Sequence, residues 1–270
     1  MTDKPKTQSM ALFCDFENIA LGVRDAKYAA FDIKQVLERL LLKGNIVVKK
    51  AYCDWERYKE FKAAMHEAAF ELIEIPHVRQ SGKNSADIRM VVDALDLCYT
   101  KAHVDTFVII SGDSDFSPLV SKLRENNKLV IGVGVKQSTS DLLIANCDEF
   151  IYYDDLAREA EQPRRKKRKG SGRKAEAKSP NSADERRQEA LDLVLKTVED
   201  LFEERGDEEK VWGSMVKQAI KRRKPGFNES YHGFRTFGQL LEAAGALGLL
   251  DLKHDEKSGG YIVRGFKHEE

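Results

Sequence analysis

Residues 106–116 read TFVIISGDSDF: five β-branched or aromatic side chains run straight into a serine, a glycine and two aspartates. β-Branched and aromatic residues fit a pleated backbone, and Gly112 lets the chain turn sharply where the apolar run ends. The reading is a buried strand over Thr106–Ile110 that carries acidic groups at its carboxyl end. The same grammar occurs earlier, where Met10–Cys14 is followed by Asp15-Phe16-Glu17-Asn18. Further short apolar runs lie at Ile46–Tyr52, Glu71–Ile75, Leu129–Val135 and Phe150–Tyr152. Between them, Phe31–Leu42, Trp55–Phe70, Asn84–Lys101 and Phe116–Asn126 repeat apolar residues with helical period. Strands and helices that alternate with short connections predict an α/β fold, a parallel sheet covered by helices on both faces.

In such a sheet ligands bind beyond the carboxyl ends of the strands, so the acidic residues there are candidates for chemistry. Asp15 follows the first strand, Asp113 and Asp115 follow the fourth, and Asp87 opens the helix after the third. Carboxylates gathered in one cleft repel each other, and a cation relieves that repulsion. All-oxygen ligand sets suit hard Mg²⁺ or Mn²⁺, whose chemistry fits phosphodiester hydrolysis. The alternative for each aspartate alone is a helix cap, but capping leaves unexplained why the first strand ends in acid as well. Asp93 lies six residues after Asp87, about 240° around a helix, so the two do not point squarely into one site. Lys83, in a loop beside Asp87, and Lys136, after the fifth strand, are candidate contacts to a scissile phosphate. Trp55 and Tyr58 offer faces for stacking, although aromatics at that spacing more often pack in a core.

The blocks FCDFENI, KNSADIRMVVDAL and SGDSDFSPLV resemble, in order, the signatures of the NYN domain, a branch of the PIN-like ribonuclease superfamily, in its LabA-like subgroup. The resemblance covers about Met10 to Asp154. It implies a Rossmann-like PIN-type parallel sheet and a Mg²⁺- or Mn²⁺-dependent, RNA-cleaving centre. Carried over residue by residue, it implies Asp15, Asp87 and Asp113 as metal carboxylates with Asp115 nearby. It also implies Asn18 as a residue that shapes the pocket, Asp93, the second acidic position of the middle block, as a further metal carboxylate, and Ser111 as the group that orients a carboxylate or the attacking water.

The chain has 270 residues, with 45 Lys+Arg against 45 Asp+Glu and 41% apolar residues, which fits a globular protein of two domains. No apolar run approaches the roughly 18 residues of a bilayer span, and the first ten residues lack a signal's apolar centre, so a cytoplasmic location without membrane is expected. Cys14, Cys53, Cys98 and Cys147 form no Cys-x-x-Cys pair and read as buried free thiols. Charge is uneven: residues 1–156 sum to −4, 157–185 to +5 and 186–270 to −1. The expected division is a nuclease domain at 1–156, a flexible basic linker at 157–185 and a third segment at 186–270. In the linker, Arg164–Lys178 carries nine Lys/Arg and one acid. Such a run attracts nucleic-acid phosphates, and in a eukaryotic source 164–169 would also serve as a nuclear address.

The last segment reads as helices at Ala190–Glu204, Gly213–Lys224 and Arg235–Ala246, then strands at Gly248–Lys253 and Gly260–Arg264 around Ser258-Gly259-Gly260. That is the order of a small winged-helix domain. The phrase KVWGSMVKQAIKRRKPGFNESYHGFRTFGQLLEAAGALGLLDL resembles the LOTUS, or OST-HTH, domain, which implies binding of RNA or of a protein partner. The candidate RNA contacts are Lys221, Arg222, Arg223 and Lys224 at a helix end, with Asn228 and Tyr231 in the following loop. The competing function is a non-catalytic RNA-binding adaptor. A receiver-like phosphoacceptor pocket is disfavoured, because the third strand ends Ile75-Pro76-His77 rather than in an aspartate. Nothing in the sequence sets an oligomeric state.

Overall fold

The computed structural model describes residues 8–75, 85–168, 181–205, 210–256 and 258–266. The chain divides into two compact units, Met1–Lys167 and Arg168–Glu270. In the first, the elements run β1 (Gln8–Asp15), α1 (Phe16–Asp25), α2 (Ile33–Leu41), β2 (Gly44–Cys53), α3 (Lys59–Glu67), β3 (Glu71–Glu74) and α4 (Ser85–Thr100). They continue as β4 (Thr106–Ile110), α5 (Ser117–Glu125), β5 (Leu129–Gly134), α6 (Asp141–Asn146), β6 (Glu149–Tyr152) and α7 (Tyr153–Arg168). The six strands form one sheet in the order β3-β2-β1-β4-β5-β6, and every adjacent pair is parallel. This is the expected α/β fold.

Period-two alternation distributes each central strand between two cores. Met10, Leu12 and Cys14 of β1 enter one core with Phe16, Ile19, Val36 and Leu40 from α1 and α2. Ala11 and Phe13 enter the other with Met90 and Ala94 from α4 and Leu119 and Leu123 from α5. Because both faces are covered, β4 is buried at all five positions, which is why its sequence is continuously apolar rather than alternating. The four cysteines are free and buried, as expected.

Two helices, α1 and α2, occupy the stretch where one was expected. The additional helix, α1, starts at Phe16 directly after β1 and buries Phe16, Ile19, Gly22 and Val23, a 3-4 spacing interrupted by its acidic start. In the expected helix Trp55–Phe70, the regular part begins at Lys59, and Trp55 instead packs in the core against Phe16 at 4.9 Å between ring centroids.

The second unit contains α8 (Asn181–Arg205), β7 (Val211–Trp212), α9 (Gly213–Arg223), α10 (Phe237–Ala246), β8 (Leu250–Asp255) and β9 (Gly260–Phe266). Its antiparallel sheet runs β7-β9-β8, and the element order is that of a winged helix. Ala190, Val194 and Val198 of α8 pack with Val216, Ile220, Leu240, Leu241 and Ala244. The third helix begins at Phe237 rather than Arg235 because Thr236 caps it, its hydroxyl accepting from the Gln239 amide at 3.2 Å. The short β7, paired through Val211 and Val263, is too brief to give a sequence signal. The stretch expected as linker overlaps both units: α7 continues to Arg168 and α8 starts at Asn181. The first overlap, 157–168, is rich in Ala, Glu, Lys and Arg, which are strong helix formers. Among the described residues, no helix is long and apolar enough to cross a membrane.

Candidate active site

The strand order changes direction between β1 and β4, and this switch point is where a doubly wound sheet opens a crevice beyond its strands. Asp15 is the last residue of β1 and Ser111 the first after β4, so the ladder itself brings the two acidic stretches side by side. Asp15 is 8% exposed. One of its carboxylate oxygens accepts from the Ser111 hydroxyl at 3.0 Å, and the other from the Asn18 amide at 3.4 Å, which makes Asp15 the N-cap of α1.

Asn18 ties the second strand end in place. Its side-chain oxygen accepts from the Gly112 amide at 2.8 Å, while the Gly112 carbonyl accepts from the Ser140 amide at 2.9 Å. A Cβ on Gly112 would stand 2.5 Å from the Ser138 carbonyl oxygen, so glycine is required for this close approach. The Ser111 hydroxyl also accepts from the Asp113 amide at 3.2 Å. Asp113 in turn caps a short 3-10 turn, Ser114–Phe116, by accepting from the Asp115 amide at 2.9 Å. Asp87 lies in the first turn of α4 and is half-buried.

Electrostatics joins these groups into one set. Burial pushes the Asp15 carboxyl up to about 7, helped by the charges of Asp87 and then Asp113, while the bonds from Ser111 and Asn18 oppose the rise. Burial raises Asp87 to about 6, with Asp113, Asp115 and Glu17 adding to it. Among the described residues, none of Asp15, Asp87, Asp113 and Asp115 pairs with a lysine or arginine. Glu17 also belongs to this neighbourhood, its charge acting on Asp87, and its place two residues after Asp15 is the sequence signal that would have singled it out. It pairs with Arg57 at 3.2 Å, which brings a cation beside the acidic set.

The other expected residues are placed as follows. Asp93 has a different neighbourhood: its carboxylate accepts from Tyr52 at 2.9 Å and Arg89 at 3.1 Å and lies 3.5 Å from Lys50. Lys136 follows β5, where its amide donates to Asp154 at 2.7 Å and its ammonium lies 5.9 Å from the Tyr152 ring centroid. Lys83 lies outside the described residues. In the second unit, Arg222 and Lys224 are exposed at the end of α9, and Lys221 is partly so. Arg223 forms an ion pair with Asp200. Asn228 accepts from the Ser230 amide at 3.0 Å, and the Arg186 guanidinium lies 5.3 Å from the Tyr231 ring centroid.

Among the described residues, no three His, Cys, Asp or Glu side chains stand close enough together to hold one ion directly. The donor chemistry nevertheless fits a hydrated hard cation. Asp15 is an oxygen donor destabilised by burial and by the charge of Asp87, and Asp87 one destabilised by burial and by Asp113, Asp115 and Glu17, while Mg²⁺ characteristically keeps several waters and binds one or two carboxylates.

Residues 9–154 match the NYN domain. The uncharacterized protein MJ0482 of Methanocaldococcus jannaschii is 26% identical over 147 residues, covering 54% of this chain and 58% of that protein. Meiosis regulator and mRNA stability factor 1 of Xenopus tropicalis is 25% identical over 147 residues, covering 54% of this chain and 8% of its own length. The chain therefore spans less than two thirds of either curated relative. The crystal structure of VPA0982, a Vibrio parahaemolyticus protein of unknown function, superposes with a TM-score of 0.51 at 27% identity, covering 57% of this chain and 98% of that one.

Proposed function

This chain belongs to the NYN domain family, within the PIN-like nuclease superfamily, and from that premise we propose that it is a Mg²⁺- or Mn²⁺-dependent ribonuclease. The observation that carries the reading is the placement of Asp15 and Asp113 at adjacent strand ends beside the switch point of the sheet, where the Ser111 hydroxyl donates to the Asp15 carboxylate and accepts from the Asp113 amide. The relative named for mRNA stability supports RNA as the substrate class.

In this reading Asp15, Asp87 and Asp113 would hold a hydrated cation through its coordinated waters rather than all three directly, with Asp115 beside them. A bound Mg²⁺ or Mn²⁺ supplies positive charge that polarises a phosphodiester and lowers the pKa of attacking water. The chain's own residues prepare the crevice. Ser111 holds Asp15 in one orientation and favours its ionised form. Asn18 fixes the Gly112 turn, and with it the direction in which Asp113 leaves β4. Lys136 and Lys83 are the proposed contacts to backbone phosphates.

The proposed domain division is 1–156 for the nuclease, 157–185 for a basic linker and 186–270 for a LOTUS-type winged helix that grips RNA. Lys221, Arg222, Arg223 and Lys224 supply charge in that module, and Asn228 and Tyr231 supply polar and stacking contacts. An acidic catalytic unit repels a polyanion except where a cation bridges them, so a separate basic anchor raises the local substrate concentration.

The test is Mg²⁺-dependent cleavage of single-stranded RNA by the wild type, Asp15→Asn and Asp113→Asn. Loss of cleavage in both variants is expected. Equal cleavage in all three rejects the assignment, and full RNA affinity without turnover in Mg²⁺ or Mn²⁺ establishes the adaptor alternative instead.

A further inference from the structure

Helix α4 carries Asp87 at its start, so its rotation about its own axis decides where that carboxylate points. Apolar packing specifies this rotation weakly. The fully buried stripe of α4 is Met90, Ala94 and Cys98, one adaptable and two small side chains, and the half-buried Ala86, Val91, Leu95 and Leu97 spread over a wide arc against the same core. The opposite face is also apolar, with Ile88 62% exposed, Val92 55% and Tyr99 64%. A helix that is hydrophobic on both sides gains little by choosing one of them.

A polar clamp makes the choice. Tyr52 of β2 is 1% exposed and stands directly opposite Asp15 in the β1–β2 ladder. Its hydroxyl donates to Asp93 at 2.9 Å, and Asp93 is itself largely buried. Lys50, two residues earlier on the same strand face, lies 3.5 Å from both Asp93 and Glu71 of β3. Arg89 closes the other side of the Asp93 carboxylate at 3.1 Å. With two cations and a phenol already bound, this carboxylate has little to gain from a metal ion, in contrast to Asp15 and Asp87. Turning α4 by one residue, about 100°, would withdraw Asp93 from Tyr52 and leave buried polar groups unmatched.

We propose that Asp93 is a positioning residue, which through its bond to Tyr52 fixes the rotation of α4 and so aims Asp87 at Asp15. The inference rests on the metal-dependent nuclease reading of the site and gives it a specific support. The path is short: Asp15 faces Tyr52 across the ladder, Tyr52 holds Asp93, and one and two-thirds turns of helix lead from Asp93 to Asp87.

The test measures Mn²⁺ affinity by titration calorimetry, together with RNA cleavage, on the full chain carrying Tyr52→Phe, Asp93→Ala, Asp93→Asn or Asp15→Asn. Tyr52→Phe keeps the buried ring, and its expected effects are a roughly tenfold weaker Mn²⁺ affinity and a similar fall in kcat, with KM for RNA within about twofold. Asp93→Asn, whose amide oxygen still accepts from Tyr52, is expected to recover most of the affinity lost in Asp93→Ala. Adding Tyr52→Phe to Asp93→Ala is expected to cost nothing further, because Asp93→Ala has already removed the bond from Tyr52.

Wild-type Mn²⁺ affinity in Tyr52→Phe, or a mere drop in its melting temperature, overturns the proposal while leaving the nuclease reading intact. Loss of Mn²⁺ binding in Asp93→Asn with none in Tyr52→Phe makes Asp93 a ligand and also overturns it. Should Asp93→Ala fail to fold, Tyr52→Phe decides the matter alone. Undiminished binding and cleavage in Asp15→Asn would sink the nuclease reading itself, a separate and recognisable result.

Discussion

Ser111 donates its hydroxyl hydrogen to Asp15 across 3.0 Å, joining the end of β1 to the turn after β4. This bond works against the burial that raises the Asp15 carboxyl to about 7. In Ser111→Ala that carboxyl is expected to rise further, and the acid limb of the rate profile should move to higher pH. The loss in kcat should be about tenfold near neutrality and smaller in alkali, where Asp15 ionises regardless. A uniform loss at every pH would contradict the orienting role given to Ser111.

Asp15 also sets a stability signature. Its folded pKa, about 7, lies above its ordinary value of 3.8, so the folded state holds a proton that the unfolded state has released. The stabilisation is therefore complete below about pH 4 and lost as pH rises through about 7. In metal-free buffer at about pH 8, Asp15→Asn should be the more stable protein, by on the order of 2 kcal/mol. Mn²⁺ should raise the melting temperature of the wild type and not of the variant. Calorimetric melts with and without Mn²⁺ check both signs.

Gly112 tests the backbone rather than the charge. An added Cβ meets the Ser138 carbonyl oxygen at 2.5 Å, a backbone atom with no freedom to swing away. Gly112→Ala should cost about 1–3 kcal/mol and displace Asp113, so that cleavage falls more than stability explains. Denaturant melts alongside kinetics separate the two losses.

The second unit is tested by salt. If the end of α9 contacts phosphates, Arg222→Ala with Lys224→Ala should flatten the plot of log affinity against log salt by about two charges. Arg223→Ala should do less, because Arg223 already pairs with Asp200. Fluorescence anisotropy on a short RNA across salt concentrations reads the slopes, and equal effects at all three positions would dissolve the distinction.

Much of the first unit was legible because its strands are short apolar runs bounded by polar turns. Thr106–Ile110 matched residue for residue, since burial on both faces leaves no polar position to blur its ends. Helix α1 was not legible: its first turn holds Asp15, Glu17 and Asn18, so the residues that form the site also disguise the helix that presents them. The site shows the same division. Asp15, Asp87 and Asp113 could be picked from position relative to strand ends, a local property. The engagement of Asp93 with Tyr52 and Lys50 depends on partners more than forty residues away, which no spacing reveals.

The order of the sheet also governs when this centre can exist. β1 sits in the interior with β2 on one side, the next strand in the chain, and β4 on the other, which is not complete until Ile110. A chain emerging from the ribosome thus keeps one edge of β1 open, after β2 has paired, through the synthesis of α3 and α4. Asp15 and the turn that carries Asp113 are brought side by side only when that edge closes, so a polypeptide cut short before β4 carries only part of the acidic set.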